Sequence, residues 1–174
     1  LKNIALFSLP FFLSYFLQTL YGLADLFIIG QFDGVDSITA VSIGSQIMHM
    51  ITVMIVGLSI GTTVCIAQAV GAKDKEKLRY CIGNTVTVFF IVSLLLTGLL
   101  LFFTDFIVAV VKTPDEAVAG TKEYLIICFI GIPLITAYNI VSSILRGMGD
   151  SKSPMYFIAI ACVANIILDY VFIG

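Results

Sequence analysis

Residues 154–173 read Pro-Met-Tyr-Phe-Ile-Ala-Ile-Ala-Cys-Val-Ala-Asn-Ile-Ile-Leu-Asp-Tyr-Val-Phe-Ile. The stretch has the length a helix needs to cross a bilayer, about 20 residues. It holds one carboxylate, Asp169. A carboxylate at the centre of such a helix costs about 2.5–3.5 kcal/mol on insertion scales, so its retention points to use. A second carboxylate, Asp25, stands in the apolar run Leu6–Ile29.

Working outward, the chain divides into five apolar segments, at about 5–29, 42–70, 82–103, 124–145 and 154–173. Their length and continuity favour membrane helices over barrel strands, which would be about ten residues long and alternating. Composition agrees. Of 174 residues, 60% are hydrophobic and only 11% charged, with mean hydropathy +1.11. A soluble domain carries roughly 25% charged residues. The expected fold class is therefore all-α, a polytopic transmembrane helix bundle. No basic stripe with interleaved aromatics points to nucleic acid. No HExxH, GxSxG or Ser/His pairing points to an enzyme.

Cys65, Cys81, Cys128 and Cys162 lie in or beside apolar runs without ligand spacing, and read as small buried hydrophobes. His49 stands alone and reads as a packing or interfacial residue. The first apolar run is too long for a signal-peptide core and lacks a small-residue cleavage site, so it reads as a retained span. The chain lacks an initial Met and stops as a span ends, which suggests a piece of a longer protein.

The connectors alternate in charge. Lys2, the stretch from Lys73 to Arg79, and the stretch from Arg146 to Lys152 hold seven Lys/Arg. The other side carries Asp33, Asp36, Asp105, Asp115, Glu116 and Glu123, with only Lys112 and Lys122 as bases. The positive-inside rule places the N-terminus and both basic connectors in the cytoplasm, and Gly174 outside. Thr113-Pro114-Asp115-Glu116 reads as a capping box with Thr113 at the N-cap. Gly147 and Gly149 mark a tight turn, with Ser153-Pro154 opening the last helix. Gly57 and Gly61 form a GxxxG, expected to allow close packing of helices within the bundle, with a dimerisation face as the alternative. Pro10 and Pro133 are expected to loosen or kink their spans.

Polar residues recur at helical spacing. Gln18, Tyr21 and Asp25 share one face, as do Asn165 and Asp169; Asn139, Ser142 and Ser143 form a third patch. Such faces must meet one another or a watery cavity. At 1.5 Å per residue, Asp169 lies about 22 Å past Pro154 in a core of about 30 Å. Asp25 and Tyr124 also fall in the outer half, and Asn139 in the inner half, away from the carboxylates. Two carboxylates, an asparagine carbonyl and a phenol could form a cation site. Adjacent carboxylates can share a proton as a coupled unit, and the same hard oxygens suit sodium at Asp25, Asn165 and Asp169.

Several motifs, taken in order, are familiar. Gln18-Thr19-Leu20-Tyr21-Gly22-Leu23-Ala24-Asp25, then Gly30 and Ile38-Thr39-Ala40-Val41, resembles the first span and loop of the multidrug and toxic compound extrusion transporters. So do Gln68-Ala69-Val70-Gly71-Ala72-Lys73-Asp74, Leu145-Arg146-Gly147-Met148-Gly149-Asp150-Ser151-Lys152 and Asn165-Ile166-Ile167-Leu168-Asp169. The resemblance spans the chain. It implies twelve spans in two six-helix lobes, with residues 1–174 forming five spans of the N-terminal lobe and lacking the second lobe. It also implies cation-coupled export, by proton or sodium and with no other cofactor, of organic cations and amphipathic drugs through a cell membrane. Asp25, Tyr124, Asn165 and Asp169 then match the cation-coupling positions. Gln18, Tyr21 and Asn139 match polar positions lining the lobe. A related lipid-linked oligosaccharide flippase would line its cavity with cations for a pyrophosphate, and no expected span carries an internal Lys or Arg. A truncated, non-transporting membrane module is the remaining alternative.

Overall fold

The computed structural model describes residues 2–32 and 34–172, with side chains from Phe7 onward. Asp33, Ile173, Gly174 and the Lys2 side chain, all used in the topology argument, lie outside the described residues. Among the described residues seven α-helices follow in order: α1 (Lys2–Phe32), α2 (Val35–Gly71), α3 (Lys75–Phe102), α4 (Thr104–Val110), α5 (Val118–Ile130), α6 (Ile132–Gly147) and α7 (Lys152–Phe172). A 3-10 turn at Asp115–Ala117 precedes α5. No strand occurs among the described residues. Phe7–Phe32, α2, α3 and α7 are each long and apolar enough to cross a membrane. The segments Asp115–Ile130 and Ile132–Gly147 meet that standard together, bent by 47°, and counted as one span they make five.

That bend has a local cause. Pro133 lacks the N–H that would bond to the Phe129 carbonyl four residues earlier. The Thr97 hydroxyl of α3 donates to that carbonyl instead, at 3.2 Å. The sequence reading of 124–145 as one span thus becomes two helices joined at Gly131. Pro10, by contrast, lies inside an α1 that runs on through it.

Three other local expectations change. α2 begins at Val35, not near Ser42, with Asp36 in its first turn, where the helix dipole favours an acid. The capping box at Thr113 does not form. Its hydroxyl donates back to the Val108 carbonyl at 3.2 Å and closes α4, while Pro114 precedes the 3-10 turn without a side-chain cap. At the start of α7 the capping oxygen comes from Asp150 rather than Ser153. Its Oδ1 accepts from the Lys152 and Ser153 amides, each at 3.0 Å, and the Ser153 hydroxyl donates to Oδ2. These bonds hold the Asp150 carboxyl below its ordinary value of 3.8, the Ser153 hydroxyl contributing most.

The buried core lies where α2, α4, α5 and α6 meet. Ile47, Met48, Ile51 and Ile55 of α2 pack with Val108, Leu125, Phe129 and Ile132. Two close approaches fasten this seam. At one end a Cβ on Gly44 would overlap the Tyr124 ring. At the other, a Cβ on Gly147 would lie 2.8 Å from Ile66 Cβ and 3.0 Å from the Thr63 carbonyl oxygen. Gly57 and Gly61 do not fasten it: nothing lies within 4 Å of a Cβ built on either. The GxxxG therefore makes no close packing within this bundle. Its glycines face away from the helices they were expected to meet.

Cys65 and Cys81 are joined in a disulfide between α2 and α3, not left as small hydrophobes. They sit at mirror positions about the turn between these antiparallel helices. That relation is tertiary, which is why a spacing of 16 residues looks meaningless in the sequence. Cys128 and Cys162 are free thiols, the latter buried. His49 is exposed on α2.

Contacts fix the relative directions of the helices. The Gly44–Tyr124 and Gly147–Ile66 approaches make α2 run alongside α5 and α6 in the same sense, so the turns after α2 and α6 share one end. Those two turns carry the basic residues. Outside, the bundle is apolar, with Leu95, Phe102, Leu134, Ile160 and Phe172 among its exposed side chains.

Candidate functional site

α1 and α7 lie side by side and run in the same direction. Ser14 and Pro154 line one cavity near the start of the pair. Farther along, Asp25 meets Asp169 and Asn165, and beyond them Phe32 and Tyr170 stack edge to face at 6.5 Å. The helical period explains the meeting. Asn165 and Asp169 sit one turn apart and point the same way, toward the α1 face that carries Asp25.

Asp25, Asn165 and Asp169 are each half-buried. One oxygen of each, Asp25 Oδ1, Asn165 Oδ1 and Asp169 Oδ2, is sealed from solvent and accepts no hydrogen bond. Buried acceptors without donors are costly, about 1–3 kcal/mol each. Three converging from two helices make a set of hard oxygen donors waiting for a positive partner. Carboxylate and carbonyl oxygens are what a hard cation takes, and a proton would turn either carboxyl into a donor for its neighbour.

Tyr124 stands apart from the three. Its hydroxyl pairs with the Ser45 hydroxyl of α2 at 3.0 Å, and its ring is seated on Gly44. Asp25 lies within its electrostatic reach, but Tyr124 forms no hydrogen bond to the carboxylates. Ser45 carried no signal in the sequence, being one small polar residue in an apolar run.

Gln18, Tyr21 and Asn139 all line a cavity of about 390 Å³ between α1, α2, α6 and α7. Tyr21 also senses Asp25 electrostatically, while Asp25, Asn165 and Asp169 themselves do not line the cavity. Asn139 is buried, and its amide donates to the Ile135 carbonyl one turn back at 2.8 Å. Arg146 was assigned to the connector after the fourth span. It belongs instead to the last turn of α6 and lines this cavity. Arg146 thus brings a cation to the cavity from the end of the helix, while no Lys or Arg stands in its interior. The helix runs on to Gly147 and is closed by the Met148 and Gly149 amides on the Ile144 and Arg146 carbonyls.

The MatE family model matches residues 10–171. The chain belongs to the MatE family. Among curated MatE relatives, the chain is 32% identical over 167 residues to the probable multidrug resistance protein YoeA of Bacillus subtilis, covering 96% of this chain and 36% of that protein. It is 33% identical to the probable multidrug resistance protein YpnP of the same organism, covering 39% of it. A solved MATE in the bent conformation superimposes with TM-score 0.92 at 30% identity, over 99% of this chain and 38% of that one. A multidrug resistance MATE transporter in an outward-facing conformation gives 0.90 at 31% identity. The chain thus spans well under half the length of the MatE proteins it matches.

Proposed function

We propose that this MatE chain serves as one lobe of a cation-coupled multidrug efflux antiporter in the plasma membrane, with its N-terminus in the cytoplasm. Organic cations and other amphipathic compounds leave by alternating access, against inward flow of protons or sodium. The observation that carries the reading is the convergence of three unpartnered buried oxygens, from Asp25, Asn165 and Asp169, between two parallel helices.

A proton or sodium ion at these oxygens relieves the repulsion between the carboxylates and draws α1 against α7. Without it, the like charges favour a looser packing of the pair. A cargo molecule favours one packing over the other, and coupling requires only that the two ligands prefer different packings. Asn165 orients one carboxylate. Tyr124, held by Ser45, lies at the edge of the site. The opposing wall that alternating access needs would come from a second lobe.

The test is efflux from cells expressing the transporter with Asp169→Asn. Loss of ion-driven ethidium efflux, with unchanged membrane insertion, is the expected result. Normal efflux in that variant would overturn the coupling assignment, and absence of efflux in the parent would favour a non-transporting module.

A further inference from the structure

The cavity between the α1–α7 pair and α6 contains one charged side chain, and it is a cation. Arg146 is half-buried among tyrosines, serines and apolar walls. Its Nε donates to the Ser142 carbonyl at 3.1 Å. Phe11 covers the flat face of the guanidinium, 5.0 Å from its carbon to the ring centroid. Among the described residues no carboxylate pairs with it. The one ion pair formed elsewhere joins Lys122 to Asp105, and the nearby Asp150 is committed to the start of α7. Tyr15 and Tyr138 are the titratable groups facing it.

This arrangement leaves the edge of the guanidinium free. Stacking on Phe11 uses its face, and the Ser142 bond uses one of five N–H donors. The terminal nitrogens remain, in the planar fork that matches phosphate, sulfate or carboxylate in two parallel bonds. A half-buried cation without a counter-charge is costly unless a ligand supplies one. Away from Arg146 the walls carry an apolar side, with Val56, Ile135 and Ile158, beside the polar Gln18, Tyr21, Thr52 and Asn139. A ligand that satisfies both parts has an anionic head and an aliphatic tail.

We propose that this cavity binds anionic amphiphiles, with Arg146 as the counter-ion of a phosphate-like headgroup and the α2–α6 wall receiving the chain. The site is separate from the carboxylate cluster and does not rest on the coupling reading. In a protein expected to export cations, it would give the lobe a second ligand class of opposite charge.

The test is calorimetric titration of the purified chain in dodecyl maltoside micelles with three probes: dodecyl phosphate, inorganic phosphate and dodecyltrimethylammonium. Dodecyl phosphate is expected to bind at least tenfold more tightly than either of the others. Arg146→Gln is expected to abolish that preference, and Arg146→Lys to keep part of it, since the charge survives without the fork. Asp169→Asn is expected to leave it unchanged, so failure of the coupling reading would not touch this result. Equal binding of the anionic and cationic amphiphiles by the parent chain would overturn the proposal without any variant. So would inorganic phosphate binding as tightly as dodecyl phosphate, which would mark a free-anion site, or an anion preference that survives Arg146→Gln.

Discussion

Gly147→Ala inserts a single methyl group into the tightest seam of the lobe. Its carbon would lie 2.8 Å from Ile66 Cβ and Cγ2, and 3.0 Å from the backbone oxygen of Thr63. Carbon pairs rest at about 3.5–4.0 Å, so α6 must withdraw from α2 by roughly 1 Å. The obstacle is main chain and a β-branched stem, neither of which can turn aside. Withdrawal also breaks the bond from the Thr63 hydroxyl to the Ser143 carbonyl, now 3.2 Å, by carrying it outside hydrogen-bonding range. Overpacking costs about 1–3 kcal/mol, and an interhelical hydrogen bond in a membrane protein averages about 0.6 kcal/mol. Alanine's better helix propensity returns about 1 kcal/mol. The net expectation is a loss of about 0.5–2.5 kcal/mol. Gly61→Ala is the matched control. No atom lies within 4 Å of its added carbon, so only the propensity gain of about 0.5–1 kcal/mol applies. Both variants can be unfolded in dodecyl maltoside by titration with dodecyl sulfate, following helicity by circular dichroism. Opposite signs are the outcome argued for. Equal destabilisation by both, or a Gly147→Ala variant as stable as the parent, would refute the reasoning.

Thr97→Val should remove the donor that satisfies the carbonyl left open by Pro133, costing about 1 kcal/mol in the same unfolding assay. Combining it with Pro133→Ala should recover most of that loss, because the helix then supplies its own donor. The cap on α7 should weaken in acid. The Asp150 carboxyl is held below 3.8 in the fold, so its stabilisation is present above that pH and disappears as pH falls through the lowered value. Hydrogen exchange at the Lys152 and Ser153 amides should therefore quicken below pH about 4 relative to the intrinsic rate, and Asp150→Ala should show the faster exchange at pH 7.

The helices were legible because apolar runs of membrane length have few alternatives. The meeting of Asp25 with Asn165 and Asp169 was also within reach of the sequence, since helical spacing set their faces and topology set their depth. What escaped was everything decided by contact between helices. Residues 131–133 could be read as a proline within a span, but the bend depends on Thr97 answering from another helix. Cys65 and Cys81 have no motif, and their pairing becomes visible only once α2 and α3 fold back on each other. The GxxxG signalled close packing, yet the close approaches fell to Gly44 and Gly147, which carry no repeat. Arg146 lies one residue past the expected end of the fourth span, yet the helix runs on to Gly147 and the side chain lines the cavity.

The two glycine seats at Gly44 and Gly147 have a mechanical consequence. They clamp α2 to α5 and α6 at both ends, like bolts through a frame. α1 packs chiefly against α7, and that pair touches the frame more sparingly. The lobe is thus built as a tightly fastened panel with a more loosely attached two-helix door, and the cavity is the gap between them. The Ile47–Ile132 cluster contains no residue of the door, whose own buried side chains include Ile28, Ile158 and Cys162.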